Sequence, residues 1–180
     1  MLVGDTLRRH GIRSVLTGGA CASLHSGGRY QSVDMDFILM GPTTRAALDA
    51  AMATLGFRRQ RDRYVNPRVR FYVEFPRGPL AVGGDHRVAP IEHRRGRARA
   101  LVLSPTDACR DRLAAFYHWS DRQSLTVAVS IALRCRVSMA AIRRWSRAEG
   151  AAGAFDEFVA EVSRARRRRA RRARRTGIVR

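Results

Sequence analysis

The chain has 180 residues, is 45% hydrophobic and carries 35 basic against 15 acidic residues, a formal charge of +20. Its length suits one domain with a real core, or one domain with a short helical extension, and therefore a single active site. No apolar run approaches the roughly 20 residues of a membrane helix, and the opening residues lack the apolar stretch and cleavage site of a signal peptide, so no membrane contact and a cytoplasmic location are expected.

Every basic residue other than histidine is arginine, which removes lysine chemistry altogether. Ten of the 35 arginines lie at or beyond Arg164, so half of the net charge sits in the last 17 residues and the body is basic too. Such a balance favours polyanionic partners, because arginine grips phosphate and each contact releases counterions. A GC-rich genome, which raises arginine and alanine together, would produce the same composition. The three cysteines, Cys21, Cys109 and Cys135, are odd in number and scattered, which indicates neither a disulfide framework nor a zinc knuckle. Cys21 and His25 have the spacing of half a metal site on a helix, but no second pair completes it.

Taken in chain order, residues 12–17 suggest a short buried strand, and Gly18-Gly19 breaks it before a helix begins near Ala20. Residues 33–39 form a second strand, closed by Gly41-Pro42. Thr43 or Thr44 then caps a helix in which Leu48, Ala51, Met52 and Leu55 follow the helical period up to Gly56. Residues 57–65 and 69–75 are strand candidates joined at Asn66-Pro67, a hairpin that makes the sheet mixed. Weaker strands are expected around 88–92 and 98–103. From Ser104 the period is helical. Ser104-Pro105-Thr106-Asp107 and Ser120-Asp121-Arg122-Gln123 resemble capping boxes, and further helices are expected at 139–145 and 154–164. The fold class is thus α/β (α+β), a mixed sheet flanked by helices over residues 1–103 and a helical part over 104–163. The arginine-rich tail, 164–180, is expected to be disordered or to extend the last helix on nucleic acid.

Chemistry concentrates in residues 33–39. Alternation sends Val33, Met35, Phe37 and Leu39 to one face of the strand and Asp34 and Asp36 to the other, with the two Cα atoms about 6.6 Å apart. Two like charges that close are costly unless a cation or solvent offsets them, and aspartate is uncommon inside strands. In residues 70–75 the same alternation puts Phe71, Val73 and Phe75 toward the core and Glu74 opposite, where it can be a third carboxylate. Gly18-Gly19 lets backbone N–H groups at a helix start approach a phosphate. Tyr117, His118, Trp119 and Trp145 could stack on a base, but their spacing fits packing better.

Gly18-Gly19, then Asp34-Met35-Asp36, then Val73-Glu74-Phe75 in that order resembles the signature of the DNA polymerase β-like nucleotidyltransferase superfamily, and most closely its minimal bacterial branch of AbiEii-type toxins. Residues 103–125 resemble the helical segment after the catalytic sheet in that branch, and the likeness covers about residues 12–146. The resemblance implies transfer of a nucleoside monophosphate from a nucleoside triphosphate to an acceptor, with Mg2+ as two ions once nucleotide is bound. It implies Asp34 and Asp36 as metal ligands, Glu74 as the residue assisting the acceptor hydroxyl, and Gly18, Gly19, Ser32, Arg110, Arg112 and Asp121 on the nucleotide side. Ala20 stands where serine is frequent, Arg110 where lysine is common, and Glu74 where aspartate is usual. Expected partners are RNA such as tRNA, which the basic body attracts while repelling a polycationic aminoglycoside, and an antitoxin. The rival reading is a non-catalytic nucleic-acid-binding module that keeps the fold.

Overall fold

A computed structural model describes residues 1–28 and 30–175 of the chain. In order these form α1 (Leu2–Arg9), β1 (Ser14–Leu16), α2 (Gly18–Ser26), β2 (Asp34–Leu39), α3 (Arg45–Ala53), β3 (Arg58–Gln60), β4 (Arg63–Val65) and β5 (Tyr72–Glu74). They continue with β6 (Ile91–Arg95), β7 (Ala98–Val102), α4 (Pro105–Trp119), α5 (Arg122–Arg134), α6 (Met139–Ala148) and α7 (Ala152–Arg175). The architecture is mixed α/β, a sheet with helices on both faces followed by a helical C-terminal part.

The strands form one sheet in the order β3-β4-β5-β2-β1-β7-β6. β2 runs parallel to β5 and β1 parallel to β7, while the other neighbours are antiparallel. Period-two alternation gives each central strand two different faces. On one, Phe37 and Val73 are sealed under α1 and α3. Gly4 of α1 comes so near that a Cβ there would lie 2.5 Å from Ala100 Cβ and 3.3 Å from the Phe37 ring. Phe37 stacks on Phe75 at 6.2 Å, and Tyr64, edge-on to Phe75, donates to Asp49 of α3 at 2.6 Å. On the other face α2 packs against β2, and α4 packs on α2. Cys21 Sγ and His25 Nε2 both donate to Leu103 O, at 3.8 and 2.9 Å, so this pair meets on a carbonyl rather than on a metal.

Residues 57–65, expected as one strand, are folded as two. Arg61 adopts φ 57° between β3 and β4, because a run of charged residues with no apolar alternation has nothing to bury and favours a turn. The hairpin expected at Asn66-Pro67 is present as the antiparallel β4–β5 pair. Ser104 caps α4 by accepting from Asp107 N at 3.1 Å, with its hydroxyl donating to Asp107 Oδ2 at 2.7 Å. The cap of α5 is Asp121, which accepts from Gln123 N and Ser124 N, whereas Ser120 takes φ 54° and ends α4. Residues 164–175 continue α7, as alanine and arginine are both strong helix formers; residues 176–180 of the tail lie outside the described residues.

The change of period at Ser104 is not a loose joint. Arg110 of α4, 7% exposed in its side chain, donates to Asp85 Oδ2 at 2.7 Å and Asp107 Oδ1 at 2.9 Å, with its guanidinium 5.1 Å from the centre of the Trp145 ring. Trp145 Nε1 donates to Val82 O at 3.1 Å, and Glu149 accepts from Gly84 N at 2.8 Å. The loop before β6 is thereby fastened to α4 and α6.

Phe37 is 1% exposed and joins the sheet to α1. Phe37→Ala is expected to cost about 3–5 kcal/mol of folding free energy, read as a lower urea midpoint at unchanged slope.

Candidate active site

Register, more than alternation alone, gathers the candidate side chains. Asp34 and Asp36, two apart on β2 and each an odd number of positions from Phe37, share the face opposite it. In the parallel pairing with β5, Asp34 lies opposite Tyr72 and Asp36 opposite Glu74. Asp34, Asp36, Tyr72 and Glu74 therefore share one face of the sheet, all half-buried.

The glycine pair is packed against this face. Thr17 N donates to Asp36 O at 2.9 Å, which ties the end of β1 to the middle of β2. Gly18 then adopts φ +62°, a conformation that disfavours any side chain, and a Cβ there would sit 2.5 Å from Asp36 Oδ2. A Cβ on Gly19 would collide with Ser32 Oγ and lie 3.1 Å from the Tyr30 ring. The first turn of α2, whose leading N–H groups have no helical partner, thus opens directly beside the Asp36 carboxylate. Ser32 donates its hydroxyl to Asp34 Oδ1, and Ser23 Oγ donates to Tyr30 O at 2.6 Å, holding residues 30–32 against α2.

Burial, followed by the charges of Asp34, Glu74 and Asp111, pushes the Asp36 carboxyl up to about 6, with Arg112 opposing the shift. Burial, followed by the charges of Asp34, Glu74 and Asp36, also raises the Tyr72 phenol, with Arg63 opposing. A local excess of negative charge therefore sits inside a chain of net charge +20. Among the described residues no group of three or more His, Cys, Asp or Glu side chains is gathered as a metal site. Two neighbouring carboxylates nevertheless fit Mg2+, which is commonly held through one or two carboxylates with water and phosphate oxygens completing its shell. The raised Asp36 carboxyl reflects burial first and the neighbouring carboxylates second, and a cation beside it would offset both.

The helical residues divide. Arg112 donates to Asp111 Oδ2 at 3.0 and 2.7 Å, and lies within electrostatic reach of Asp36, Tyr30 and Asp121. Asp121 is committed to capping α5; the Ser124 hydroxyl, at 2.7 Å, is the main cause holding its carboxyl below the usual range. Arg110 stands apart from the acids, turned to Asp85, Asp107 and Trp145 on the opposite side of α4. Tyr30, Tyr72 and Asp111 belong to the site without having been singled out by sequence. Tyr72 was within reach, two residues before Glu74 on the same alternation, whereas Tyr30 and Asp111 carry no local signal. Trp145 and Tyr117 are packing residues stacked at 5.5 Å, while Trp119 is 76% exposed.

No protein-family model matches the chain, and no curated protein matches it. No helix among the described residues is long and apolar enough to cross a membrane.

An unfolded aspartate titrates near about 3.9, below the value of Asp36 in the folded chain. The folded state thus holds this proton more tightly, and the associated stability, full below about pH 4, is lost as pH rises through about 6. Metal-free Asp36→Asn is accordingly expected to gain melting temperature relative to the parent between pH 5 and pH 8 (about 2 °C or more), and added Mg2+ is expected to narrow the gap at pH 8. A gap independent of pH would show that Asp36 titrates normally.

Proposed function

We propose that the chain is a Mg2+-dependent nucleotidyltransferase that moves a nucleoside monophosphate from a nucleoside triphosphate to an acceptor RNA such as tRNA. The observation that carries this reading is the shared face of Asp34, Asp36 and Glu74 against the Gly18-Gly19 turn. Sequence order alone could not have distinguished that arrangement from scattered acids.

In the proposed reaction the acceptor hydroxyl oxygen bonds to the α-phosphorus, the bond from that phosphorus to the bridging oxygen breaks, and pyrophosphate leaves. Asp34 and Asp36 would hold the cation, and the hydroxyl of Ser32 orients Asp34. Bound Mg2+ would supply the positive charge that offsets the triphosphate and the leaving group. Glu74 takes the proton of the attacking hydroxyl as general base. Backbone N–H groups opening α2 face the phosphates, where a helix N-terminus favours anions. Arg112, already bearing on Asp36, adds a cation on the nucleotide side.

The acceptor follows from charge, since a basic body draws in RNA and repels cationic small molecules. In this reading the enzyme belongs with the DNA polymerase β-like superfamily and its AbiEii-type toxins, restrained in the cell by an antitoxin partner.

Incubation with Mg2+, each labelled nucleoside triphosphate and total tRNA is expected to label RNA with at least one nucleotide. Asp34→Asn and Asp36→Asn are each expected to lower the rate at least about a hundredfold, the loss of several kcal/mol of cation-mediated stabilisation. Absence of label with all four nucleotides, alongside salt-sensitive RNA binding that Asp34→Asn leaves intact, would replace the enzyme with a binding module of the same fold.

A further inference from the structure

The acid-bearing face of the sheet does not stop at Glu74. β4 runs antiparallel to β5 with Arg63 opposite Glu74 and Val65 opposite Tyr72, and β3 adds Arg58 opposite Val65 and Gln60 opposite Arg63. Residues paired across strands share a face, so Arg58, Gln60, Arg63, Tyr72 and Glu74 form one strip that runs into Asp36. At about 4.8 Å between neighbouring strands, the strip extends roughly 14 Å from β3 to β2.

The strip is open. On the reverse side Tyr64 and Val73 are buried, and Tyr64 and Arg59 both bind Asp49 of α3. On the strip itself Arg58, Gln60 and Arg63 are exposed, and neither arginine forms an ion pair among the described residues. Arg63 could reach across to Glu74, its register partner, yet its guanidinium lies over the Tyr72 ring, 4.8 Å from the centre. Two guanidinium groups without a carboxylate partner among the described residues, one of them over a flat aromatic ring, therefore line the approach to the carboxylates.

Those groups have a natural complement. Guanidinium binds phosphate, and an aromatic ring backed by a cation accepts a base that is free of its own stack. A duplex, whose bases are buried in the helix, cannot use the ring. We propose that the face of β3, β4 and β5 centred on Arg63 and Tyr72 is the docking strip for the single-stranded end of the acceptor RNA, leading its terminal hydroxyl to Glu74. The last clause rests on the nucleotidyltransferase reading; the docking itself does not.

The test uses the full chain and a fluorescein-labelled ten-nucleotide single-stranded RNA, followed by anisotropy across a salt series without nucleoside triphosphate. Arg58→Ala with Arg63→Ala is expected to weaken binding about tenfold and to flatten the salt slope by about 1.4, the value for two lost single-strand phosphate contacts. Tyr72→Ala is expected to weaken it about tenfold, with Tyr72→Phe within about twofold of the parent, which separates stacking from misfolding. Arg95→Ala with Arg97→Ala removes equal charge from the far edge of the sheet and is expected to change affinity less than about twofold. A blunt duplex should be indifferent to Tyr72→Ala. Equal losses in the strip and far-edge variants, or equal sensitivity of duplex and single strand to Tyr72→Ala, would overturn the proposal. Because binding is read without nucleotide, these failures are distinct from an absence of label transfer, which would overturn the enzymatic reading and leave the strip standing.

Discussion

Like-charge crowding on one strand is the constraint around which this molecule is arranged. Asp34 and Asp36 stand side by side on β2, Glu74 faces Asp36 from β5, and Asp111 adds its charge from α4. Such a cluster is tolerated through solvent and the opposing charge of Arg112. It also dictates its surroundings. The chain must turn beside Asp36 with no side chain in the way, which the left-handed Gly18 achieves, and the next residue must leave room for Ser32 and Tyr30. The opposite face of β2 then has to be apolar, and Phe37 anchors it under α1.

The charge distribution around the cluster is uneven in a useful way. Many arginines are internally committed, Arg110 to Asp85 and Asp107, Arg8 and Arg9 to Asp5, Arg112 to Asp111. Committed guanidinium groups shape the fold and contribute little to long-range attraction. Arg58 and Arg63 are of the other kind, as are the exposed arginines along α7 from Arg166 to Arg169. A positive far field with a negative focus is the distribution that the proposed collection of a metal cation and a polyphosphate calls for.

Much of this was legible in the residues, where the governing rule is local. Alternation in residues 33–39 told the acid face from the core face, the glycine pair marked the turn, and Ser104 marked the start of the helical part. The rest depended on relations between distant segments. Whether Glu74 faces Asp36 depends on the register of two strands separated in sequence by α3, β3 and β4, which no local pattern encodes. Residues 57–65 were too polar for periodicity to reveal the turn at Arg61. Arg110 and Arg112 are two positions apart on a helix, about 200° around its axis, so one meets the acids and the other cannot. Choosing between them requires knowing which side of α4 packs on α2. The same limit applies to Asp121, a cap whose role follows from where α4 ends rather than from its own neighbours.

The grip on Arg110 carries a consequence for α4 as a whole. With that side chain locked between two carboxylates and an indole, the helix cannot roll about its axis, and its rotational phase is fixed from the side remote from Asp36. Asp111 and Arg112, one and two positions further on, inherit that phase. α4 thus behaves as a keyed shaft: a change at Asp85 or Trp145 is transmitted to the electrostatic balance at Asp36 without touching it. The tuning of the acidic cluster is therefore a property of the whole helix and of the loop that holds it.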